Sequence, residues 1–395
     1  MKITDMKAYV VEAKRAKWVF VKLETDEGVS GIGEATLEWK TNAVLGALED
    51  LRPSLIGKDP LKREQLYADL YNTSYWKNGV VLMTATSAVE MACYDIAGKW
   101  LNLPAYDLLG GKIRDNIRIY ATNPWFGGLT TPEQYVEKAI AIRDKGVNAI
   151  KFDPWGQHGL TFSKMDMQKG LEIVDAVNKA VGKDMELLIE AHGRFNAQTA
   201  LTITRELAQY QPKFFEEPVP PDNLDALAYV TSKSPIPIAA GERVYTIYEY
   251  AQFLERKAAH YIQADICHAG GLMEMKKIAA MTQAYHLTFA PHNPSGPFAN
   301  AATMQLAACT ESFHIMEISI ADVPWRKNIC AEDLTLENGA LYIPDKPGLG
   351  LELIEDEFIP HPDYVRNVFW YNGDIPADLP NGWASYMTDF YIKGL

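Results

Sequence analysis

No apolar run in this 395-residue chain approaches membrane-spanning length, and its opening, Met1-Lys-Ile-Thr-Asp-Met6, lacks an apolar signal core. Cysteine is scarce too. Cys93, Cys267, Cys309 and Cys330 are dispersed with no CxxC pair, which argues against a disulfide framework and for reduced, buried thiols. Positive charge is in deficit: 38 Lys and Arg face 51 Asp and Glu, a formal net charge of −13. That balance argues against nucleic acid or an anionic membrane as a partner. No glycine-rich dinucleotide loop follows the first strand, which weighs against a doubly wound nucleotide-binding sheet. These absences point to a cytoplasmic protein that acts on small molecules. An anionic substrate would feel no long-range attraction, so any attraction must be local.

The chain has two textures. Residues 1–115 open with β-branched stretches, Ala8-Tyr-Val-Val11 and Trp18–Leu23. A turn at Asp26-Glu-Gly28 follows, and then helical stretches over Leu61–Tyr71 and Thr84–Leu101. This is an α+β unit, completed by about 321–395. From 116 to 320 short apolar strands alternate with amphipathic helices. The strands are expected at Ile117–Ala121, Ala149–Phe152, Leu187–Glu190, Lys213–Glu216, Ile238–Gly241, Tyr261–Asp265, Leu287–Ala290 and Phe313–Met316. Capping boxes at Thr131-Pro-Glu-Gln134 and Thr246-Ile-Tyr-Glu249 open two of the helices. The seventh helix is expected to be broken by Pro294, Gly296 and Pro297. A (β/α)8 (TIM) barrel with an α+β capping domain is the economical reading. The aromatic tail (Phe369, Trp370, Tyr371, Trp383, Tyr386, Phe390 and Tyr391) suits packing on the N-terminal unit or self-association into a homo-oligomer.

Glu190, Glu216 and Glu242 recur at intervals of 26 residues, each closing an apolar run. One strand, one helix and their loops consume about that length, so successive strands would present a carboxylate at the same barrel end. A lone glutamate at a strand end usually faces solvent, but three spaced once per unit have no such reason to recur. Oxygen donors of this kind suit Mg²⁺. Other strand ends carry polar groups as well: His192 after Glu190, Gln263-Ala-Asp265, Pro291-His292 and Met316-Glu317. Asp265 and His292 form a candidate dyad, the carboxylate fixing the imidazole tautomer. A metal between His192 and His292 is the layout for removing a proton α to a carboxylate. Lys151, Arg194 and Arg243 lie near the same rim, where at least one should offset the negative charge. Lys151 and Asp153 could both face the mouth. Glu217 should point away and pair with a cation. The other histidines (158, 260, 268, 286, 314 and 361) lack such context and read as structural or solvent-facing.

Together these residues resemble the enolase superfamily, in its mandelate racemase-like branch. The resemblance is carried by Ile189–Asn196, Phe215-Glu-Glu-Pro218, Ala240-Gly-Glu-Arg243, Gln263-Ala-Asp265 with Gly270-Gly271, Pro291-His292 and Pro347-Gly-Leu-Gly350. Lys151-Phe-Asp-Pro154 and Glu-x-His-Gly-Arg are most similar to acid-sugar dehydratases of the gluconate and galactonate type. The resemblance implies Glu190, Glu216 and Glu242 as Mg²⁺ ligands, and His292 with Asp265 as the base at carbon 2. It implies His192 as the acid for the departing 3-hydroxyl and Glu317 as a partner of the substrate carboxylate. Lys151, Asp153, Arg194, Trp18 and Trp39 complete the expected substrate site, the two tryptophans as lid residues. Two departures stand out: glutamate rather than the commoner aspartate at 190, and Lys-x-Asp where racemases have Lys-x-Lys. Rival readings are a racemase or epimerase on the same scaffold, a metal-assisted hydrolase, or a non-catalytic metabolite-binding barrel.

Overall fold

Antiparallel strands β1 (Ile3–Val11), β2 (Trp18–Thr25) and β3 (Ser30–Glu34) begin the chain, with Gly28 at φ +75° in the β2–β3 turn. The computed structural model describes residues 1–13, 16–72, 75–77, 79–122, 128–156, 158–319, 323–331, 336–358 and 365–368. Helices α1 (Thr41–Leu55), α2 (Arg63–Asn72) and α3 (Val80–Leu101) follow the sheet. Helix α1 had no clear signal in the sequence, and Pro53 sits inside its last turn. Helix α3 is long and apolar enough to cross a membrane, contrary to expectation, but 83% of that window is buried in the protein. It is a core helix. Strand β3 lies directly on it: a Cβ on Gly31 or Gly33 would fall 2.2 or 1.9 Å from the carbonyl oxygens of Ala92 and Ala88.

The barrel follows. Its strands are β4 (Asn116–Ala121), β5 (Ala149–Phe152), β6 (Glu186–Glu190), β7 (Phe214–Glu216), β8 (Ile238–Ala240), β9 (Tyr261–Ile262), β10 (Thr288–Phe289) and β11 (Met316–Ile318). Neighbours pair in parallel from β4 to β10, a bridge joins Phe289 to Phe313, and β11 pairs with β4 to close the ring. The helices are α4 (Pro132–Arg143), α5 (Lys164–Val181), α6 (Ala197–Leu207), α7 (Leu224–Lys233), α8 (Ile247–Glu255), α9 (Gly271–Ala284) and α10 (Pro297–Ala308). The seventh barrel helix, α10, is intact, correcting the expected break. Pro297 is its first residue, where the missing N–H costs nothing, and Pro294 and Gly296 belong to the preceding loop.

Inside the barrel, Tyr120, Ala149, Leu188, Phe214, Ala239, Ala290 and Ile315 form one buried layer. Strand alternation then points residues two positions further on into the mouth: Lys151, Glu190, Glu216, His292 and Glu317. The larger core lies between strands and helices.

Beyond the barrel the chain serves both units. After α11 (Arg326–Ile329), the hairpin β12 (Leu336–Glu337) and β13 (Ala340–Tyr342) pairs onto β4, so 321–395 does not belong wholly to the capping unit. Past α12 (Glu355–Phe358), β14 (Val365–Val368) pairs with β1. All seven aromatics of the tail, and with them the expectation of self-association, lie outside the described residues, as does His361.

Candidate active site

Glu190 and Glu216 end adjacent parallel strands and are register partners, so their side chains emerge side by side. Glu242 arrives differently. Strand β8 stops at Ala240, Gly241 turns at φ +139°, and the carboxylate reaches in from the turn. Carboxylate oxygens of the three lie within 4.8 Å of one another. Glu190 and Glu216 are buried, whereas Glu242 is partly open.

Three carboxylates so close repel one another, and the surroundings offset that charge. Lys151 Nζ lies 2.5 Å from Glu216, 3.3 Å from Glu190 and 3.1 Å from Glu317. Gln263 donates to the other Glu216 oxygen at 2.6 Å. Glu190 Oε1 accepts from the backbone N–H groups of Ala191 and His192 at 3.0 and 2.6 Å. Burial would raise the Glu190 carboxyl, but His192 and Lys151 outweigh it and hold it well below the usual range. Burial and the neighbouring Glu190 charge push Glu216 the other way. The cluster is frustrated, and an all-oxygen donor set with one carboxylate pushed up by its neighbour fits a hard divalent cation.

Two carboxylate–histidine pairs flank the triad. His292 Nδ1 lies 2.6 Å from Asp265 Oδ2, and its Nε2 lies 3.4 Å from Glu242 and 3.9 Å from Glu317. Asp265 also accepts from the Cys267 N–H at 2.7 Å. Burial opposes charge on His292, yet Glu242, Glu317 and Asp265 together raise it to about 10. At the other end His192 Nδ1 lies 2.6 Å from Asp153 Oδ2. Burial lowers His192 while Glu190 and Asp153 raise it, with a net rise. Strand alternation was expected to bring His192 to the same side as Glu190, but β6 ends at Glu190, and a turn with His192 at φ +48° and Gly193 at +65° aims the ring instead. A non-glycine residue in that region is strained, and such strain gathers where a side chain must be aimed.

Several other expectations need correction. Asp153 and Arg194 were expected to bind substrate. Instead Arg194 Nη2 donates to both Asp153 oxygens at 2.6 Å, and Arg194 also bonds Ala191 O and Gly156 O. With 5% exposure, Arg194 sits behind Asp153, which is itself engaged with His192. Trp18 is no lid: it is 3% exposed in β2, packed with Phe20 and Phe298, and Arg326 lies over its ring. Trp39, 40% exposed at φ +59°, remains on an open loop between β3 and α1. Arg243 leaves the mouth to pair with Glu217, as anticipated for that glutamate, and lines a cleft with Leu224, Leu227 and Phe253. Glu317 is buried between Lys151, Tyr120 and the Asn293 N–H. Sequence reasoning missed Gln263 as the partner of Glu216 and Asp153 as the partner of His192. Both lie two residues from another group it did single out, Asp265 and Lys151. It also missed that His268 is buried against Thr84.

Comparison with known proteins places the chain in a family. Residues 4–110 match the mandelate racemase/muconate lactonizing enzyme N-terminal domain, and residues 134–357 match the enolase C-terminal domain-like family. The chain is 34% identical to a D-galactonate dehydratase of Variovorax paradoxus, covering 95% of this chain and 98% of that protein. It is 33% identical to a D-galactonate dehydratase of Pectobacterium atrosepticum, covering 94% and 97%. A crystal structure of an enolase superfamily member from Salmonella Typhimurium superposes with a TM-score of 0.87 at 31% identity, covering 93% of this chain and 100% of that one.

Proposed function

This chain belongs to the mandelate racemase/muconate lactonizing enzyme family of the enolase superfamily, and from that premise we propose that it is a Mg²⁺-dependent dehydratase of an aldonate of the galactonate or gluconate type. As a sugar-acid dehydratase it is a hydro-lyase acting on a small molecule. The observation that carries the finer reading is the pair of carboxylate–histidine dyads at opposite ends of one carboxylate triad.

Glu190, Glu216 and Glu242 hold the metal, which when bound supplies positive charge against the substrate carboxylate as negative charge develops there. His292 Nε2, with Nδ1 oriented by Asp265, takes the proton from carbon 2. Neutralising Glu242 removes the strongest of the attractions that raise His292, which favours the neutral ring a base requires. His192, its Nδ1 held 2.6 Å from Asp153, gives its proton to the 3-hydroxyl as the C3–O bond breaks. The electron pair of the C2–H bond becomes the C2–C3 double bond, water leaves, and the enol ketonises to a 2-keto-3-deoxy acid. Lys151 and Glu317, linked at 3.1 Å beside the triad, steady the charge at the carboxylate end.

The test is a panel of aldonic and aldaric acids with Mg²⁺, read by keto-acid formation and by deuterium uptake at carbon 2. A keto acid from a galactonate-type aldonate is expected. Deuterium uptake with no keto acid would replace this reading by an epimerase. A parallel thermal titration checks the metal: Mg²⁺ at a hundred times its Kd should stabilise the protein by about 2.7 kcal/mol. Glu216→Gln should abolish that rise, and an unchanged rise would remove Glu216 from the ligand set.

A further inference from the structure

Each barrel helix must satisfy N–H groups in its first turn. Helices α4 to α8 do so locally, through Thr131, Ser163, Asn196, Asn223 and Thr246. Helices α9 and α10 do not. Their caps are Gly270 and Gly296, and neither offers a side chain. Carboxylates from the capping unit take over. Glu90 of α3 accepts from Leu272 and Met273 at 2.8 and 2.9 Å, and Glu34 at the end of β3 accepts from Gly296 and Ala299 at 2.6 and 2.9 Å. Both are buried, at 3% and 0% exposure.

The barrel side is shaped to admit them. A Cβ on Gly271 would stand 2.1 Å from Glu90 Oε2, and one on Gly296 would stand 2.7 Å from Glu34 Oε1. Further polar contacts follow the same face of α3 at three-residue spacing: Ser87 accepts from the Gly270 N–H at 2.9 Å, and Thr84 meets His268 at 2.9 Å. His268 in turn lies 3.9 Å from Asp265. On the other helix, Asn300 of α10 holds the side chain of Asn293, the residue after His292, at 2.8 Å.

Burying a carboxylate is costly, and a local serine or threonine would cap either helix without that cost. The two helices capped from across the interface are the two that follow Asp265 and His292. We propose that Glu90 and Glu34 are positioning residues through which the seated capping unit sets the geometry of the Asp265–His292 pair. The proposal rests on His292 acting as the base.

Glu90→Gln and Glu34→Gln keep size and one acceptor oxygen while turning an N–H₂ toward the other backbone donor. In each, kcat for dehydration and C2 deuterium uptake should fall together by about ten- to a hundredfold, the scale of a small misplacement of a reacting group. KM and Mg²⁺ affinity should hold, and the acid limb of the kcat–pH profile should move. Ser87→Ala, a milder change on the same face, should shift kcat in the same direction and serves if the glutamine variants fold poorly. The control is Asp95→Asn. Asp95 is equally buried in α3 but accepts from Leu349 and Ile32 at 2.9 and 3.0 Å, so it should lose stability while kcat stays within about twofold. If Glu90→Gln, Glu34→Gln and Ser87→Ala lose only stability, or lose kcat no more than Asp95→Asn does, the proposal is overturned. An unmodified protein that takes up no deuterium would overturn the reading of His292 instead.

Discussion

At the scale of single residues, the site is an exercise in charge compensation. Glu190, Glu216 and Glu317 would be an untenable buried group without the Lys151 ammonium among them, and burial of that lysine is repaid by the carboxylates, which hold its pKa well above ordinary. The same logic sets the histidines. Each ring has a carboxylate at Nδ1, which leaves Nε2 of His292 facing Glu242, the atom we propose as the base. His292→Asn retains a polar side chain of similar reach without a titrating nitrogen. Dehydration and deuterium uptake should both drop by about 10²- to 10⁴-fold, with the Mg²⁺ thermal shift preserved. Retained uptake would mean the base had been misassigned. The sequence exposed the glutamate triad and the Asp265–His292 pair because each recurs at the barrel period. It did not expose the Asp153–Arg194 pairing, since which of several rim cations meets which carboxylate depends on rotamers in a crowded mouth.

At the scale of elements, local signals worked where a helix ends its own chain segment and failed where another element completes it. The Thr131 box and the Thr246 cap sit where their motifs place them. Helix α10 was misread because its first-turn N–H groups are met not by a local side chain but by Glu34, more than 260 residues away in sequence. The β3–α3 contact is the joint on which that arrangement depends, and it tolerates no side chain at Gly33. Gly33→Ala would drive a methyl to 1.9 Å from the Ala88 carbonyl, forcing two backbones apart. A loss of about 1–3 kcal/mol or more is expected, seen as a lower urea midpoint with an unchanged slope. A midpoint like that of the unmodified protein would show that the two elements are not held so closely.

Across the whole molecule, a net charge of −13 surrounds a site meant for an anion. Attraction must come from within the mouth, so bulk salt should screen repulsion more than attraction. Raising ionic strength from about 0.01 to 0.15 M shortens the screening length from about 30 to about 8 Å. Over that range kcat/KM for an acid substrate should rise or stay level. A clear fall would reveal a positive funnel that the net charge conceals. The chain's ends also bind the molecule together: β14 pairs with β1, Glu355 accepts from Tyr9 at 2.9 Å, and the Trp325 indole donates to Glu12 O at 2.9 Å.

From residue order alone came the alternation of strands and helices, the equal spacing of the glutamates, and the histidines beside them, because these follow from periods that local geometry imposes on any chain. What folding alone decided is which partner each charged group keeps. Asp153 went to His192, Arg243 to Glu217, and Glu34 and Glu90 to helices of the other unit. Such choices depend on distances between segments far apart in sequence, and on which side chains burial leaves no water to satisfy.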